Sequence, residues 1–113
     1  MALTAPRLAA ALAGLAAAPA LADPVACSFT EECYMTLACS TAAYELSFDA
    51  EAGTASDITG DFELLASNEA GTSHVLSGHS GFQLLSIGPA TAILTVHIGA
   101  GPAQVTYYGE CGE

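Results

Sequence analysis

Three histidines are the side chains in this 113-residue sequence that are best suited to metal binding or acid–base chemistry. Neutral imidazole is the commonest ligand for zinc and copper, and histidine also activates serine or cysteine nucleophiles. Two of the three lie in predicted strands and the third lies in a predicted turn. They could converge only if the strand pairing brings them together, which the sequence does not show. We therefore predict ordinary strand and surface histidines, and we keep them as candidate metal ligands only for the second function considered below: His74, His79 and His97.

Acidic residues are the second group that could carry chemistry. Asp49, Glu51, Asp57 and Asp61 lie in or beside a predicted loop over residues 49–60, where their oxygens could bind calcium. The spacing departs from that of an EF-hand, because the glycine comes one residue early and the bidentate glutamate is missing. We interpret this segment as a solvated acidic loop.

No residue pattern indicates nucleophilic catalysis. Ser80 directly follows His79, but adjacency in the sequence is not a triad, and the G-x-S-x-G turn of many hydrolases is absent. The cysteines are expected to form disulfides, which leaves no free thiol. We predict that the protein is not an enzyme, has no catalytic residues and needs no cofactor.

The first 22 residues have the three parts of a cleavable secretory signal. Arg7 supplies a positive charge, residues 8–18 form an apolar run, and residues 20–22 form an A-x-A motif that predicts cleavage before Asp23. A retained membrane anchor is the first alternative, although the apolar run is shorter than the roughly 20 residues that a spanning helix needs. Acylation of Cys27, as in a lipoprotein, is the second. The sequence predicts a periplasmic or secreted protein.

The charge of the mature chain is entirely negative. The sequence contains 12 Asp and Glu residues, and its only Lys or Arg is Arg7 in the predicted signal. Nucleic acids and anionic membrane surfaces are bound through basic side chains, so both are excluded as expected partners. A strongly acidic protein is attracted instead to cations and to basic proteins.

Four cysteines predict two disulfides, since a short exported chain with an even number of cysteines is typical of a disulfide-tied domain. Residues 30–40 fit either a short helix or a strand, and we favour the strand. If Cys33 and Cys39 lie on one strand, they are too far apart to pair. We therefore expect Cys27 to pair with Cys33 and Cys39 with Cys111, while the exchange that pairs Cys27 with Cys111 stays open.

Short alternating or apolar runs separated by Gly, Pro, Asn and Ser predict an all-β domain over residues 23–113. The expected fold is a small antiparallel meander that forms a barrel or a sandwich. Tyr107 and Tyr108 are adjacent on the last strand, so one should face the core, and Tyr108 is the candidate recognition residue. The predicted strands cover residues 44–48, 62–66, 73–77, 82–87, 91–98 and 103–108.

The layout of an export signal, three early cysteines and the terminal Tyr-Tyr-Gly-Glu-Cys of residues 107–111 resembles small periplasmic proteins of proteobacteria whose function is unknown. More loosely, the size, export and disulfide-tied meander are similar to the membrane-bound lysozyme inhibitor of c-type lysozyme group. Those inhibitors are small barrels with a Ser-Gly loop element that enters the lysozyme cleft. The resemblance therefore implies that Ser80 and Gly81 are candidate recognition residues.

Three functions follow as expectations. The first is a non-enzymatic exported binding protein whose acidic surface faces a basic periplasmic or extracellular protein, with inhibition of a lysozyme-type hydrolase as its most concrete form. The second is a periplasmic metal-binding protein that uses histidines and carboxylates. The third is a structural protein of the cell envelope.

Overall fold

The computed structural model describes residues 24–79 and 81–112, and these residues form eight strands and no helix. No segment of this described part is a helix long and apolar enough to cross a membrane. The predicted signal, Ser80 and Glu113 lie outside the described residues. The strands are β1 (Val25–Tyr34), β2 (Ser40–Asp49), β3 (Thr54–Asp57), β4 (Gly60–Ser67), β5 (Ser73–Gly78), β6 (Gly81–Ile87), β7 (Ala92–Ile98) and β8 (Ala103–Gly112).

The strands form a closed antiparallel barrel. Each strand pairs with its neighbours in sequence, and β8 pairs with β1 to close the ring. Closure leaves no free sheet edge at which another chain could add a strand. The predicted all-β meander tied by two disulfides is confirmed, and of the two predicted forms it is the barrel.

Alternation along each strand fills the barrel, because successive side chains of a strand point to opposite faces of the sheet. An eight-stranded barrel is just wide enough for inward side chains to fill its interior. β7 shows this alternation, since Ala92, Leu94 and Val96 are buried. The largest fully buried side chains come from five strands, β1, β2, β5, β6 and β7: they are Phe29, Leu46, Leu76, Leu85, Leu94 and Cys27.

The strand order gives the barrel two different ends. One end, called here the hairpin end, carries the connections β1–β2, β3–β4, β5–β6 and β7–β8. The opposite end, called the terminus end, carries the other three connections together with the start of β1 and the end of β8. Inward side chains near the hairpin end can therefore form one site, and those near the terminus end can form a second, separate site.

The expected pairing of Cys33 and Cys39 with other cysteines is wrong, because these two cysteines are bonded to each other. The strand interpretation of residues 30–40 holds only to Tyr34, where β1 ends. Residues 35–39 then reverse the chain, with Met35 in the left-handed conformation at φ 54°. The turn places the Cα atoms of Cys33 and Cys39 4.1 Å apart, which a straight strand could not do.

The second disulfide joins Cys27 to Cys111, the pairing that the sequence had left open. The two cysteines face each other directly in the register of β1 and β8. The bond therefore lies across the seam at which the barrel closes, and it ties residues that are 84 positions apart in sequence.

The loop predicted over residues 49–60 is partly wrong, because it contains the strand β3. Ala55 is the buried residue of this strand and lies in register between Phe48 of β2 and Phe62 of β4. A single small apolar residue among polar neighbours gives no periodic signal in the sequence. The strand is dictated by its neighbours, since without it β2 and β4 would present unpaired backbone groups to each other.

Candidate functional site

A cavity of about 230 Å³ opens at the hairpin end of the barrel, where inward side chains from six strands meet. Both polar and apolar side chains line it, and several of them are aromatic. The side chains that matter for its chemistry are Tyr44, Asp57, Thr59, Phe62, Gln83 and Tyr107.

Asp57 is the hydrogen-bonding centre of this cavity. The Tyr44 hydroxyl donates to Asp57 Oδ2 at 2.5 Å, and Thr59 donates to Oδ1 through both its backbone N–H at 2.8 Å and its hydroxyl at 2.5 Å. The Thr59 bonds are local, because Asp57 and Gly60 pair at the base of the β3–β4 hairpin. The Tyr44 bond joins β2 to β3, so the carboxylate is held in one position by groups from two elements.

These contacts shift the pKa values of both partners. Partial burial acts to raise the pKa of the Asp57 carboxyl, but hydrogen bonds from Thr59, Tyr44 and Gly60 outweigh it and hold that pKa below its ordinary value of 3.8. Burial, with the hydrogen bond to Asp57 and its negative charge, raises the pKa of the Tyr44 hydroxyl well above 10.0. Asp57 is therefore a carboxylate and Tyr44 a neutral phenol at physiological pH.

Aromatic rings form one wall of the cavity. Tyr44 and Tyr107 are stacked with ring centroids 4.8 Å apart. The ring centroid of Phe29 lies 6.0 Å from that of Tyr44 and 6.1 Å from that of Tyr107. Ring pairs at these distances attract each other beyond the burial of their area. Tyr107 faces inward while Tyr108 is exposed, as the alternation of β8 predicts.

The cavity is negatively charged. Glu32 lies in register with Tyr107 across β1 and β8. Burial, followed by the charges of Glu32 and Asp57, raises the pKa of the Tyr107 hydroxyl above 10.0. The described residues include no Lys or Arg that could neutralise these two carboxylates.

Gln83 is the buried polar side chain of this cavity. It is 4% exposed, and its Oε1 accepts no hydrogen bond from any group in the described part of the chain. Gln83 stands on the inward face of β6, in the alternation that also places Leu85 in the core. An unpartnered buried amide oxygen costs about 1–3 kcal/mol, which makes its presence in this position informative.

The three histidines lie in different parts of the molecule. His74 is buried near the terminus end, where Ser67 Oγ lies 2.7 Å from its Nδ1 and the Gly71 carbonyl lies 3.1 Å from its Nε2. His79 is exposed at the mouth of the hairpin-end cavity, and His97 is exposed on the outer surface of β7. The structure does not bring the three together.

A second cavity, of about 490 Å³, opens at the terminus end. It is mainly apolar, and the ring of Phe48 is tilted by 46° against the ring of His74, with the ring centroids 4.5 Å apart. Both nitrogens of His74 have protein partners, so this cavity does not present an unsatisfied group to a ligand. The hairpin-end cavity is therefore the stronger candidate site.

The remaining candidates from the sequence have separate places. Gly81 is required by the β5–β6 hairpin itself, because its φ is +134° and a Cβ there would lie 2.1 Å from the His97 carbonyl oxygen. Ser80 lies outside the described residues. Cys33 and Cys39 approach Glu31 with the spacing of metal ligands, but the two sulfur atoms are bonded to each other.

Asp57 also gives the fold a pH dependence that can be measured. Because its folded pKa lies below the unfolded value, the carboxylate stabilises the fold above about pH 4, and this contribution is lost as the pH falls through the folded pKa. We expect Asp57→Asn to lose less stability than the wild type between about pH 4 and pH 2 in urea denaturation. Asp61→Asn, which removes an outward carboxylate on the next strand, is the control, and equal profiles for the two variants would contradict this role of Asp57.

This arrangement is suited to binding a ligand, because the cavity presents hydrogen-bond acceptors, negative charge and aromatic faces. Gln83 gives a signal in the sequence, because it alternates with Leu85 and Ile87 on a face that is otherwise apolar.

No protein-family model matches the chain, and no curated protein or solved structure is significantly similar to it.

Proposed function

We propose that this chain is an exported, non-enzymatic binding protein whose acidic face docks on a basic protein. The observation that carries the proposal is the one-sided distribution of its charge. Exposed carboxylates occupy the outer surface of the neighbouring strands β8, β1 and β2 and of β4, which β3 separates from β2, whereas β5, β6 and β7 contain no Asp or Glu. This acidic face consists of Glu31, Glu45, Asp61, Glu63 and Glu110.

The register of the sheet explains how the acidic face is built. Glu45 and Glu110 lie opposite Ser28 on either side of it, so the two carboxylates are about two strand spacings, or about 10 Å, apart. Their charges are not neutralised by neighbouring Lys or Arg side chains in the described part of the chain. The negative field therefore extends over roughly one Debye length, about 8 Å at physiological salt.

Tyr108 lies at the border of this face. It is 39% exposed and in register between Glu31 of β1 and Ile93 of β7, which is 37% exposed. Tyrosine is one of the residue types enriched among interface hot spots. This supports Tyr108 as a recognition residue.

A cationic cell-wall hydrolase such as lysozyme is the most concrete basic partner. Both disulfides are compatible with an oxidising compartment, where such enzymes act. Complementary charge accelerates the encounter of two proteins and makes the association rate fall with salt. The cysteines are all bonded, so no thiol is available for catalysis.

The test is binding to lysozyme, measured by surface plasmon resonance at low and high salt. We expect the double variant Glu45→Gln with Glu110→Gln to lower the association rate constant about fivefold at low salt, because it removes two charges from the acidic face. The matched control is Glu51→Gln with Glu69→Gln, which removes the same charge from exposed turns at the terminus end. We expect a change of less than about twofold for this control.

Two results would contradict the proposal. One is the absence of binding to lysozyme and to other basic periplasmic proteins at low salt. The other is an equal effect of the two double variants, since that would indicate a response to net charge without a docking face.

A further inference from the structure

We infer that the cavity at the hairpin end binds a cationic N–H donor, namely a primary ammonium or guanidinium head group. This site is distinct from the acidic face, which is on the outer surface of the barrel. The argument combines the unpartnered Gln83, the carboxylates at the cavity, its aromatic wall and its size.

Gln83 indicates that the site needs a donor. Its Oε1 lies buried among core side chains with no partner within residues 24–79 and 81–112. Val96 and Leu76, its cross-strand neighbours, are apolar and cannot supply a hydrogen bond. A ligand that enters the cavity with an N–H group could therefore donate the missing hydrogen bond to this amide oxygen.

The charge of the cavity selects a cation. Asp57 lines it as a carboxylate, and Glu32 adds a second negative charge beside Tyr107. An anionic ligand would be repelled by both, and the described residues offer no Lys or Arg to compensate. A neutral ligand would gain nothing from this charge.

The aromatic wall favours an organic cation over a metal ion. Tyr44, Tyr107 and Phe62 present ring faces or edges, and a cation over a ring face within about 6 Å is attracted by the ring quadrupole. A divalent metal ion needs several oxygen ligands, but both carboxylate oxygens of Asp57 are already hydrogen-bonded to Tyr44 and Thr59. Alkylammonium and guanidinium groups can use the rings and the remaining oxygen lone pairs together.

The size of the cavity limits the ligand to a small group. Its volume of about 230 Å³ is below the roughly 300–1,000 Å³ of pockets that enclose drug-sized molecules. The end of one basic side chain fits this volume, and so does a free alkylamine. A basic side chain and a free alkylamine are two sources of the same cationic group. The basic side chain would belong to the protein partner, so this source rests on the proposed function.

The experiment is a titration of the folded protein with n-butylammonium, followed through the side-chain amide signal of Gln83 by NMR. We expect saturable binding with a Kd of about 1 mM, which is ordinary for so small a ligand. n-Butanol is the neutral comparison, and tetramethylammonium is a cation without an N–H donor. We expect both to bind at least about tenfold more weakly, because each lacks one of the two features that the cavity recognises.

Gln83→Leu separates a ligand site from a structural role. The substitution replaces an unpartnered buried amide by an apolar group of similar size, so the fold should be equally or more stable. We expect the affinity for n-butylammonium to fall about tenfold, because one hydrogen bond from a charged donor is lost. Loss of stability in this variant with unchanged affinity would overturn the inference, and so would the absence of any n-butylammonium effect on Gln83.

Competition distinguishes the two sources of the cation. If saturating n-butylammonium weakens the binding of lysozyme, the cavity receives a basic side chain of the partner; if lysozyme binding is unaffected, it receives a free amine. Both results support the site. The cavity proposal and the acidic-face proposal can fail independently. The double variant Glu45→Gln with Glu110→Gln tests only the acidic face, so its affinity for n-butylammonium should stay within about twofold of the wild type.

Discussion

Replacing both Cys27 and Cys111 by alanine is expected to lower the free energy of unfolding by about 4–5 kcal/mol. The disulfide closes a loop of 84 residues, and the entropy that a crosslink removes from the unfolded chain grows with loop length. Cys27 is also buried, at 1% exposure, so the substitution leaves unfilled space in the core. Because a small domain has only about 5–15 kcal/mol of stability, this loss is a large fraction of the total.

The second disulfide provides the matched control. Cys33 and Cys39 are only six positions apart, so their replacement by alanine should cost about 2 kcal/mol in the same model. Urea denaturation followed by tyrosine fluorescence measures both double variants. An equal loss in the two, or a larger loss for Cys33 and Cys39, would contradict the assigned connectivity or the loop-length argument.

The second large effect is expected for Gly109→Ala, which should cost about 3 kcal/mol or more. A Cβ at this position would lie 2.0 Å from the Ser28 carbonyl oxygen and 2.5 Å from the Phe29 Cα atom. Both contacts are backbone atoms, which cannot rotate away as a flexible side chain could. Phe29 is fully buried, so the strand cannot move outward without opening the core.

Gly112→Ala is the comparison on the same strand. A Cβ there would meet no atom within 4 Å, so we expect a change of less than about 0.5 kcal/mol. Thermal denaturation of the two variants separates the steric cost at Gly109 from the general effect of adding a methyl group to β8. Similar melting temperatures for the two would show that β1 can shift to accommodate a side chain at position 109.

Much of the fold could be predicted from hydrophobic alternation, which marks strands wherever one face is buried. β7 illustrates this, because Ala92, Leu94 and Val96 face the core while Ile93 and His97 are exposed. The chain reversal after Tyr34 could not be predicted in the same way. Residues 35–39 contain no Gly, Pro or Asn, and the left-handed residue there is Met35, so the usual turn signals are missing.

The candidate site was less accessible from the sequence than the fold. Tyr44, Asp57, Gln83 and Tyr107 lie on four different strands, and only the closure of the barrel brings them to one cavity. The sequence predicts a solvated loop around Asp57, because the four residues of β3 are too few to give a periodic signal. Gln83 was the one local clue, as a polar residue on an apolar face.

The uneven distribution of carboxylates around the barrel also affects how the protein approaches a partner. Charge on β8, β1, β2 and β4 with none on β5–β7 gives the molecule a permanent electric dipole across its short axis. In the field of a basic protein the dipole experiences a torque that turns the acidic face forward before contact. Random orientation is a main reason why protein association is slower than diffusion, so part of the rotational search is completed during the approach itself.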